Sequence, residues 1–220
     1  MEVLIVLEMY LFINPLGAVC YQAEQDILTL VARSDKQINF RFIPLLTLKT
    51  VTSVMKTRHI PLGDLEQRNK LAKELYQAAL DCKAALFQGK KKGRAFLLYI
   101  QQAFLNSPTS YNEALALSAA KACKLDVDMF LDDRQSEFTE HQFQQDQQLA
   151  AKMNVTDHPT LVLYNLEGFD CGVAVTGCDS FDVLESIIHG NIPRELILEH
   201  QTRQRLHPLK NQKKSKLPPC

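Results

Sequence analysis

Thiol and imidazole groups are the side chains of this chain best suited to redox, nucleophilic or metal chemistry. The six cysteines stand at positions 20, 82, 123, 171, 178 and 220, and no two of them form a CxxC or CxC motif. The six histidines, at 59, 141, 158, 189, 200 and 207, include no HExxH motif and share no ligand spacing with cysteines or carboxylates. We therefore expect no zinc ribbon or finger, no other metal site and no cofactor.

A disulfide framework is also not expected, because the cysteines are widely scattered in a chain of 220 residues. Cys171 and Cys178 flank a predicted strand at 172–176. Seven residues at ~3.3 Å each would separate their Cα atoms by roughly 23 Å, whereas a disulfide requires less than ~7 Å. The apolar residues 1–13 include two glutamates and no basic residue, and they fall short of the ~20 residues of a membrane span. These features favour reduced thiols and a cytoplasmic protein.

The elements that must position any site begin with a strand, a helix and a second strand. The continuous apolar run at 3–13 predicts a strand covered on both faces, which ends at the turn Asn14-Pro15. Residues 21–32 have the apolar spacing of an amphipathic helix, and 38–46 alternate as a strand that stops near Pro44.

Helix-forming residues dominate from 63 to 152, where we expect three or four helices followed by a last one at 142–153. A proline, Pro159, then precedes a strand. A hairpin turn at Glu167-Gly168, a short strand at 172–176 and a helix at 180–189 follow it. A further helix is predicted to start at Pro193.

The charges of the chain argue against a polyanionic partner. Lys plus Arg (25) equal Asp plus Glu (25), so no overall field would attract nucleic acid or an anionic membrane. Beyond Glu199 the chain has only basic charges, which is typical of a mobile tail. Nucleic-acid binding by this tail is a weak third possibility, because no aromatic residues alternate with its charges.

The order of these elements resembles the thioredoxin fold, an α/β fold, and the helical insertion resembles that of its DsbA-type branch. The corner FINPLGAVCY (12–21) stands where that fold keeps its CxxC, and VTDHPT (155–160) is similar to its cis-proline loop. Together, MYLFINPLG (9–17) with one following cysteine, the helical insertion and the HPT loop resemble the Spx-adaptor family. Its members are DsbA-like cytosolic proteins, often described as dithiol-disulfide isomerases.

This resemblance implies a division of the chain into four parts. Residues 1–62 would form the first thioredoxin-like part, 63–147 the helical insertion, and 148–192 the second thioredoxin-like part. Residues 193–220 would form a C-terminal helix and the basic tail.

The resemblance also implies a degenerate redox corner. Gly17 occupies the position of the first cysteine and Cys20 that of the second. Since glycine has no side chain that can attack a disulfide, the dithiol cycle cannot run there, and no catalytic residue is expected. We expect Cys20 to be buried and Pro159, which follows His158, to be cis. The candidate partner-binding residues beside this corner are Leu16, Val19, His158 and Thr160.

The function implied by the resemblance is that of a noncatalytic adaptor, which binds the regulator Spx and promotes its degradation by the ClpXP protease. The alternative is a thiol-disulfide oxidoreductase or isomerase of the DsbA or kappa-transferase type that uses the single thiol of Cys20. Gly17 weighs against the alternative, because the kappa type commonly has a serine there to activate the thiol. An adaptor of this kind would have neither nucleic acid nor membrane among its partners.

Overall fold

The sheet that carries the candidate site has, within the part of the chain that the structure describes, four strands in the order β2-β1-β3-β4. The computed structural model describes residues 6–106, 110–166, 169, 172–176 and 181–191. Within them the strands are β1 (Leu7–Ile13), β2 (Ile38–Pro44), β3 (Thr160–Tyr164) and β4 (Val173–Thr176). β1 pairs parallel with β2 and antiparallel with β3, and β3 pairs antiparallel with β4. This is the mixed sheet expected of a β-α-β half joined to a β-β half.

Eight helices surround the sheet in the described part of the chain. They are α1 (Ala18–Arg33), α2 (Leu48–Thr57), α3 (Leu65–Phe87), α4 (Lys90–Asn106), α5 (Glu113–Ala122), α6 (Val127–Arg134), α7 (Glu137–Lys152) and α8 (Phe181–Ile188). The predicted α/β thioredoxin-like fold of the DsbA type, with its helical insertion, is confirmed.

The central strand β1 is covered on both faces, as its continuous apolar run predicts. Successive side chains of a strand point to opposite faces. Accordingly, Leu11 and Ile13 belong to the larger core cluster, which also contains Ile27 of α1. Phe12 belongs to a second cluster with Ala150 of α7. Helices on both faces therefore hold the end of β1, where the candidate site begins.

Helix α2 was not among the elements predicted from the sequence. Its segment LKTVTSVMKT is rich in β-branched residues, which lower helix propensity. A capping box between Thr47 and Thr50 starts the helix, and Thr50, Val51 and Val54 are buried. Tertiary packing therefore stabilises this helix more than its local sequence does.

The number of helices in this block agrees with the prediction, whereas the residues at which individual helices begin differ from it. Four helices, α3 to α6, precede α7, which begins at Glu137 rather than at 142 because Ser136 caps it. Helix α1 likewise begins at Ala18, earlier than the predicted residue 21, and its N-cap Gly17 has no capping side chain. The proposed domain limit at 147/148 falls inside α7.

A buried ion pair connects the helices of this block. Asp81 of α3 accepts hydrogen bonds of 2.8 and 2.9 Å from the guanidinium of Arg134 on α6. The hydroxyl of Tyr111, just before α5, donates to the same carboxylate at 2.7 Å. Because Asp81 is fully buried and satisfied by these partners, it fixes three segments relative to one another.

The close packing of α4 against α3 requires a glycine at position 93, in the first turn of α4. A Cβ at Gly93 would lie 2.6 Å from Cδ2 and 2.8 Å from the backbone Cα of Leu86. At Gly63, by contrast, no atom lies within 4 Å of such a Cβ. The close contact at Gly93 brings α4 against α3, and the far end of α4 then reaches the candidate site.

Several predicted features lie outside the described residues. These are the hairpin turn at 167–168, Cys171, Cys178, Cys220, the helix from Pro193 and the basic tail. The nearby elements that are described, β4 and α8, lie within the predicted ranges. No helix in the described part of the chain is long and apolar enough to cross a membrane.

Candidate functional site

The corner between β1 and α1 is built around Asn14. Its backbone carbonyl accepts the N–H of Gly17 at 3.1 Å, and its side-chain Oδ1 accepts the N–H of Leu16 at 2.9 Å. Pro15 stands in the turn between them and has no N–H to satisfy. These bonds close a tight turn that places the first turn of α1 directly after the buried strand.

The side chain of Asn14 also occupies the space in front of Gly17. A Cβ at Gly17 would lie 3.1 Å from Cβ and 3.2 Å from Nδ2 of Asn14. A side chain could therefore be accommodated at position 17 only if Asn14 shifted by a few tenths of an ångström. The side chain of Asn14 thus packs against a residue without a side chain, in agreement with the absence of a nucleophile at position 17.

Cys20 lies in the first turn of α1 and is 1% exposed. Its sulfur accepts the backbone N–H of Asn14 at 3.2 Å and lies 3.5 Å from Nδ1 of His158. Burial raises the pKa of the Cys20 thiol to about 12, against the lowering effect of the Asn14 hydrogen bond. At neutral pH the group is thus a protonated thiol, which is a poor nucleophile.

The loop opposite the corner has the predicted cis peptide bond between His158 and Pro159. Burial lowers the pKa of His158, and the nearby Asp157 carboxylate raises it by a smaller amount. The imidazole is therefore neutral at pH 7, and its Nδ1 is positioned to accept the hydrogen of the Cys20 thiol. The contact therefore joins two neutral groups and provides no reactive thiolate at pH 7.

A buried carboxyl lies one helical turn beyond Cys20. Glu24 is fully buried, and its Oε1 accepts a hydrogen bond of 2.7 Å from Nε2 of Gln101 on α4. Desolvation raises the pKa of Glu24 well above its usual range, and the Gln101 hydrogen bond opposes this only in part. Gln101 also donates to the carbonyl of Asn14 at 3.4 Å. This amide joins the insertion to the corner.

An open groove of about 720 Å³ extends from this corner. One wall is formed by the start of α1 and the proline loop, and the opposite wall by α2, the residues after it and the end of α4. Its lining residues are Asn14, Leu16, Gly17, Ala18, Val19, Cys20, Ser53, Val54, Thr57, Arg58, His59, Ile60, Phe104, Leu105, His158 and Pro159. The volume lies within the range of typical binding sites.

The groove brings together all but one of the predicted site residues. Leu16, Val19 and His158 line it, and Val19 is 60% exposed. Thr160 does not line it, since this residue is buried and its hydroxyl donates to the carbonyl of Asp157 at 2.8 Å. Thr160 therefore shapes the proline loop from inside.

The far wall was missed in the sequence because it depends on α2, which has weak local signals. Arg58, at the end of α2, lies with its guanidinium 5.1 Å above the ring of Phe104 and pairs with Glu74 at 3.8 Å. Leu105, next to Phe104, is exposed. This wall thus combines apolar surface and one paired cation with the polar side chains of Ser53, Thr57 and His59, and such a mixed surface can hold a protein segment.

The described residues include no group of three or more His, Cys, Asp or Glu side chains that could hold a metal ion. Cys82 is buried in α3, and Cys123 is partly buried at the end of α5. The pKa of each thiol is raised, mainly by burial. The described cysteines are thus separate, protonated thiols.

Comparison with known proteins agrees with the predicted fold. A family model described as thioredoxin (Thioredoxin_5) matches residues 10–186. The ClpXP adapter protein SpxH of Bacillus subtilis is 30% identical over 199 residues, which cover 83% of this chain and 66% of the adapter. The SpxH adapter of Shouchella clausii is 27% identical over 205 residues, with the same coverage. The resemblance stated from the sequence is thereby confirmed, and the chain spans about 66% of the length of these relatives.

Solved structures show the same fold at low sequence identity. DsbA of Pseudomonas aeruginosa matches with a TM-score of 0.58 and 12% identity, covering 93% of this chain and 89% of that one. The oxidoreductase DsbA of Xylella fastidiosa matches with a TM-score of 0.57 and 14% identity, covering 90% and 88%. At these identities the likeness concerns the backbone alone.

Proposed function

Because the chain belongs to the thioredoxin family whose model matches residues 10–186, and its described site has no reactive thiolate, we propose that it is a noncatalytic adaptor. In this role it binds the regulator Spx and promotes the degradation of Spx by the ClpXP protease. The observation that carries the proposal is the similarity to ClpXP adapter proteins over 83% of the chain. The corner in which Gly17 replaces the nucleophile agrees with it.

The groove supports binding rather than catalysis. Val19 and Leu105 expose apolar surface at its two sides, and contiguous apolar patches in a concave site are typical of partner contacts. The buried thiol and the neutral imidazole at its base form a surface that is shaped but chemically inert. Leu16, Val19 and His158 are the predicted residues that we assign to the partner contact.

An adaptor of this kind acts without chemistry of its own. It can stabilise a conformation of Spx in which the degradation signal is accessible, or raise the concentration of Spx near the protease. Both routes require Spx, the adaptor and the protease to be in the same compartment, and we propose that this compartment is the cytoplasm. Neither a nucleic acid nor a membrane takes part.

The test is a degradation assay with purified ClpXP and Spx, with and without this protein. The proposal expects Spx turnover to accelerate with adaptor concentration and then to saturate. Unchanged turnover over a wide range of adaptor concentration would contradict the proposal.

Two variants locate the contact. Val19→Glu places a charge in the groove and should weaken Spx binding and turnover by tenfold or more, since desolvating an unpaired carboxylate is costly. Met129→Glu is the matched control, because Met129 is 51% exposed on α6 and is not among the groove residues. Equal effects of the two variants would exclude the groove as the Spx site.

The second candidate function is a thiol oxidoreductase that uses Cys20 alone, which the contact of its sulfur with His158 favours. Turbidimetric insulin reduction distinguishes the two functions. Activity of the unaltered protein that is lost in Cys20→Ala would support the enzyme. Gly17→Cys restores the CxxC spacing and serves as the positive control, although its Cβ must displace Asn14 slightly.

A further inference from the structure

Within the described residues, β2 is an edge strand of the sheet, and its outer side faces a second cavity. The carbonyl of Gln37 accepts from the N–H of Leu7, and the N–H of Leu45 donates to the carbonyl of Ile13. Backbone groups of a strand alternate in direction from one residue to the next. The odd-numbered residues of β2 therefore bond to β1, and the even-numbered residues direct their backbone groups away from the sheet.

These outward groups are not all satisfied. The carbonyl of Pro44 accepts a hydrogen bond of 2.8 Å from Gln147. No hydrogen bond among the described residues joins a partner to the outward N–H or carbonyl of Phe40 or Phe42. Unpaired groups on an edge strand are a template for another extended chain.

The cavity beside this edge has a volume of about 620 Å³ and is lined by β2, α3, α4 and α7. Phe87 of α3 and Phe138 of α7 pack at its mouth with their ring centroids 5.1 Å apart. They remain 39% and 60% exposed, respectively. The site thus combines a strand edge, at which Phe40 is partly exposed and Phe42 is buried, with exposed aromatic surface.

The charges that line the cavity are all positive: Arg41, Lys83, Lys90 and Arg94. Arg41 and Lys83 both pair with the single carboxylate of Asp146. Lys90 and Arg94 take part in no ion pair among the described residues, and the guanidinium of Arg94 lies 4.9 Å above the ring of Phe40. Two uncompensated cations, one helical turn apart on α4, therefore face the open edge.

The position of Lys90 is unfavourable for the helix itself. Three lysines, Lys90 to Lys92, occupy the first turn of α4, and that turn has no acidic residue. The positive end of the helix dipole disfavours cations there. The positive charge of Lys90 therefore does not stabilise the helix, whereas it would favour the binding of an anionic group.

We propose that the β2 edge binds an extended, acidic segment of a protein partner. The segment would add to the sheet through the outward backbone groups of Phe40 and Phe42. Its carboxylates would face Lys90 and Arg94, and its alternate apolar side chains would contact Phe138. The chain's own C-terminal tail does not match this site, because beyond Glu199 it has no acidic residue.

A fluorescein-labelled peptide of seven residues that alternates valine and glutamate is the probe, and anisotropy of the full chain with the peptide is the measurement. We expect saturable binding that weakens as salt is added, and no binding of the lysine-for-glutamate peptide. Lys90→Glu should weaken binding at least tenfold. The matched control is Lys70→Glu, because Lys70 is exposed on α3 and does not line the cavity. This variant should change peptide binding less than twofold.

Lys90→Glu also separates binding from folding. An acidic residue at a helix N-terminus is stabilising, so this variant should melt at the same temperature as the unaltered chain or higher. A large fall in its melting temperature, or unchanged peptide binding, would overturn the charge assignment.

Backbone pairing is tested with N-methylated peptides. N-methylation of those alternate peptide residues whose N–H groups face β2 should abolish binding. N-methylation of the other alternate residues, whose N–H groups point away from β2, should leave binding unchanged. Equal effects of the two sets would overturn the strand addition. Absence of saturable binding, or a dimer of this chain that the Lys90→Glu variant dissociates, would overturn the proposal of an acidic partner.

Discussion

The protonated state of Cys20 has a measurable consequence for its reactivity. The thiolate is the species that reacts with alkylating reagents. With a pKa of about 12, the thiolate fraction of Cys20 at pH 7 is ~10⁻⁵. A free thiol with a pKa of about 8.5 is roughly 3% ionised at the same pH. The smaller thiolate fraction alone would make Cys20 react ~3,000-fold more slowly than a small reference thiol. The greater nucleophilicity of a more basic thiolate offsets part of this factor, and the burial of Cys20 slows its reaction further.

The assay is time-resolved alkylation with iodoacetamide at pH 7, followed by peptide mass spectrometry. Glutathione in the same tube gives the reference rate, and Cys123, which is only partly buried, gives an internal comparison. Denatured protein provides the control that the Cys20 peptide is detected when modified.

A Cys20 rate within tenfold of that of glutathione would refute the reasoning. The thiol would then be ionised or exposed in solution, and the oxidoreductase function would gain support.

Two further predictions concern stability. The raised pKa of Glu24 means that the folded state binds its proton more tightly than the unfolded state does, so stability falls as pH rises from about 4.3 towards the folded pKa. Glu24→Gln should thus gain stability over the unaltered chain in urea denaturation at pH 8 and lose that advantage near pH 4; parallel pH profiles would contradict this. Gly93→Ala should lower stability by about 1–3 kcal/mol through its clash with the adjacent helix, despite the better helix propensity of alanine. Gly63→Ala, which meets open space, is the control, and an equal thermal shift in both variants would show that the close contact is absent.

Much of the fold followed from patterns that are local in the chain. The apolar run of β1 and the proline before β3 each predicted an element in the right place, because burial on both faces leaves a distinct composition. Helix α2 did not follow, since its residues favour strands when considered locally. Its packing against α3 and the rest of the core decides its conformation, and that packing involves residues distant in sequence.

The candidate site divides in the same way. Gly17, Cys20 and the cis peptide bond at Pro159 were predictable, because short motifs mark the corner and the loop. The sequence indicated Asn14 only as a turn residue. In the structure its side chain fills the space in front of Gly17, and its backbone N–H donates a hydrogen bond to the Cys20 sulfur. Such roles arise from the three-dimensional positions of neighbours, which a single sequence does not report.

Helix α4 connects the two proposed binding surfaces. Its first two turns contribute Lys90 and Arg94 to the cavity beside the β2 edge, and its last turn contributes Phe104 and Leu105 to the apolar groove. Fourteen residues separate Lys90 from Phe104, which is ~21 Å along a helix that rises 1.5 Å per residue. An adaptor must hold a client and meet a protease at the same time. Two surfaces of different chemistry at this spacing on one rigid helix allow both contacts without competition.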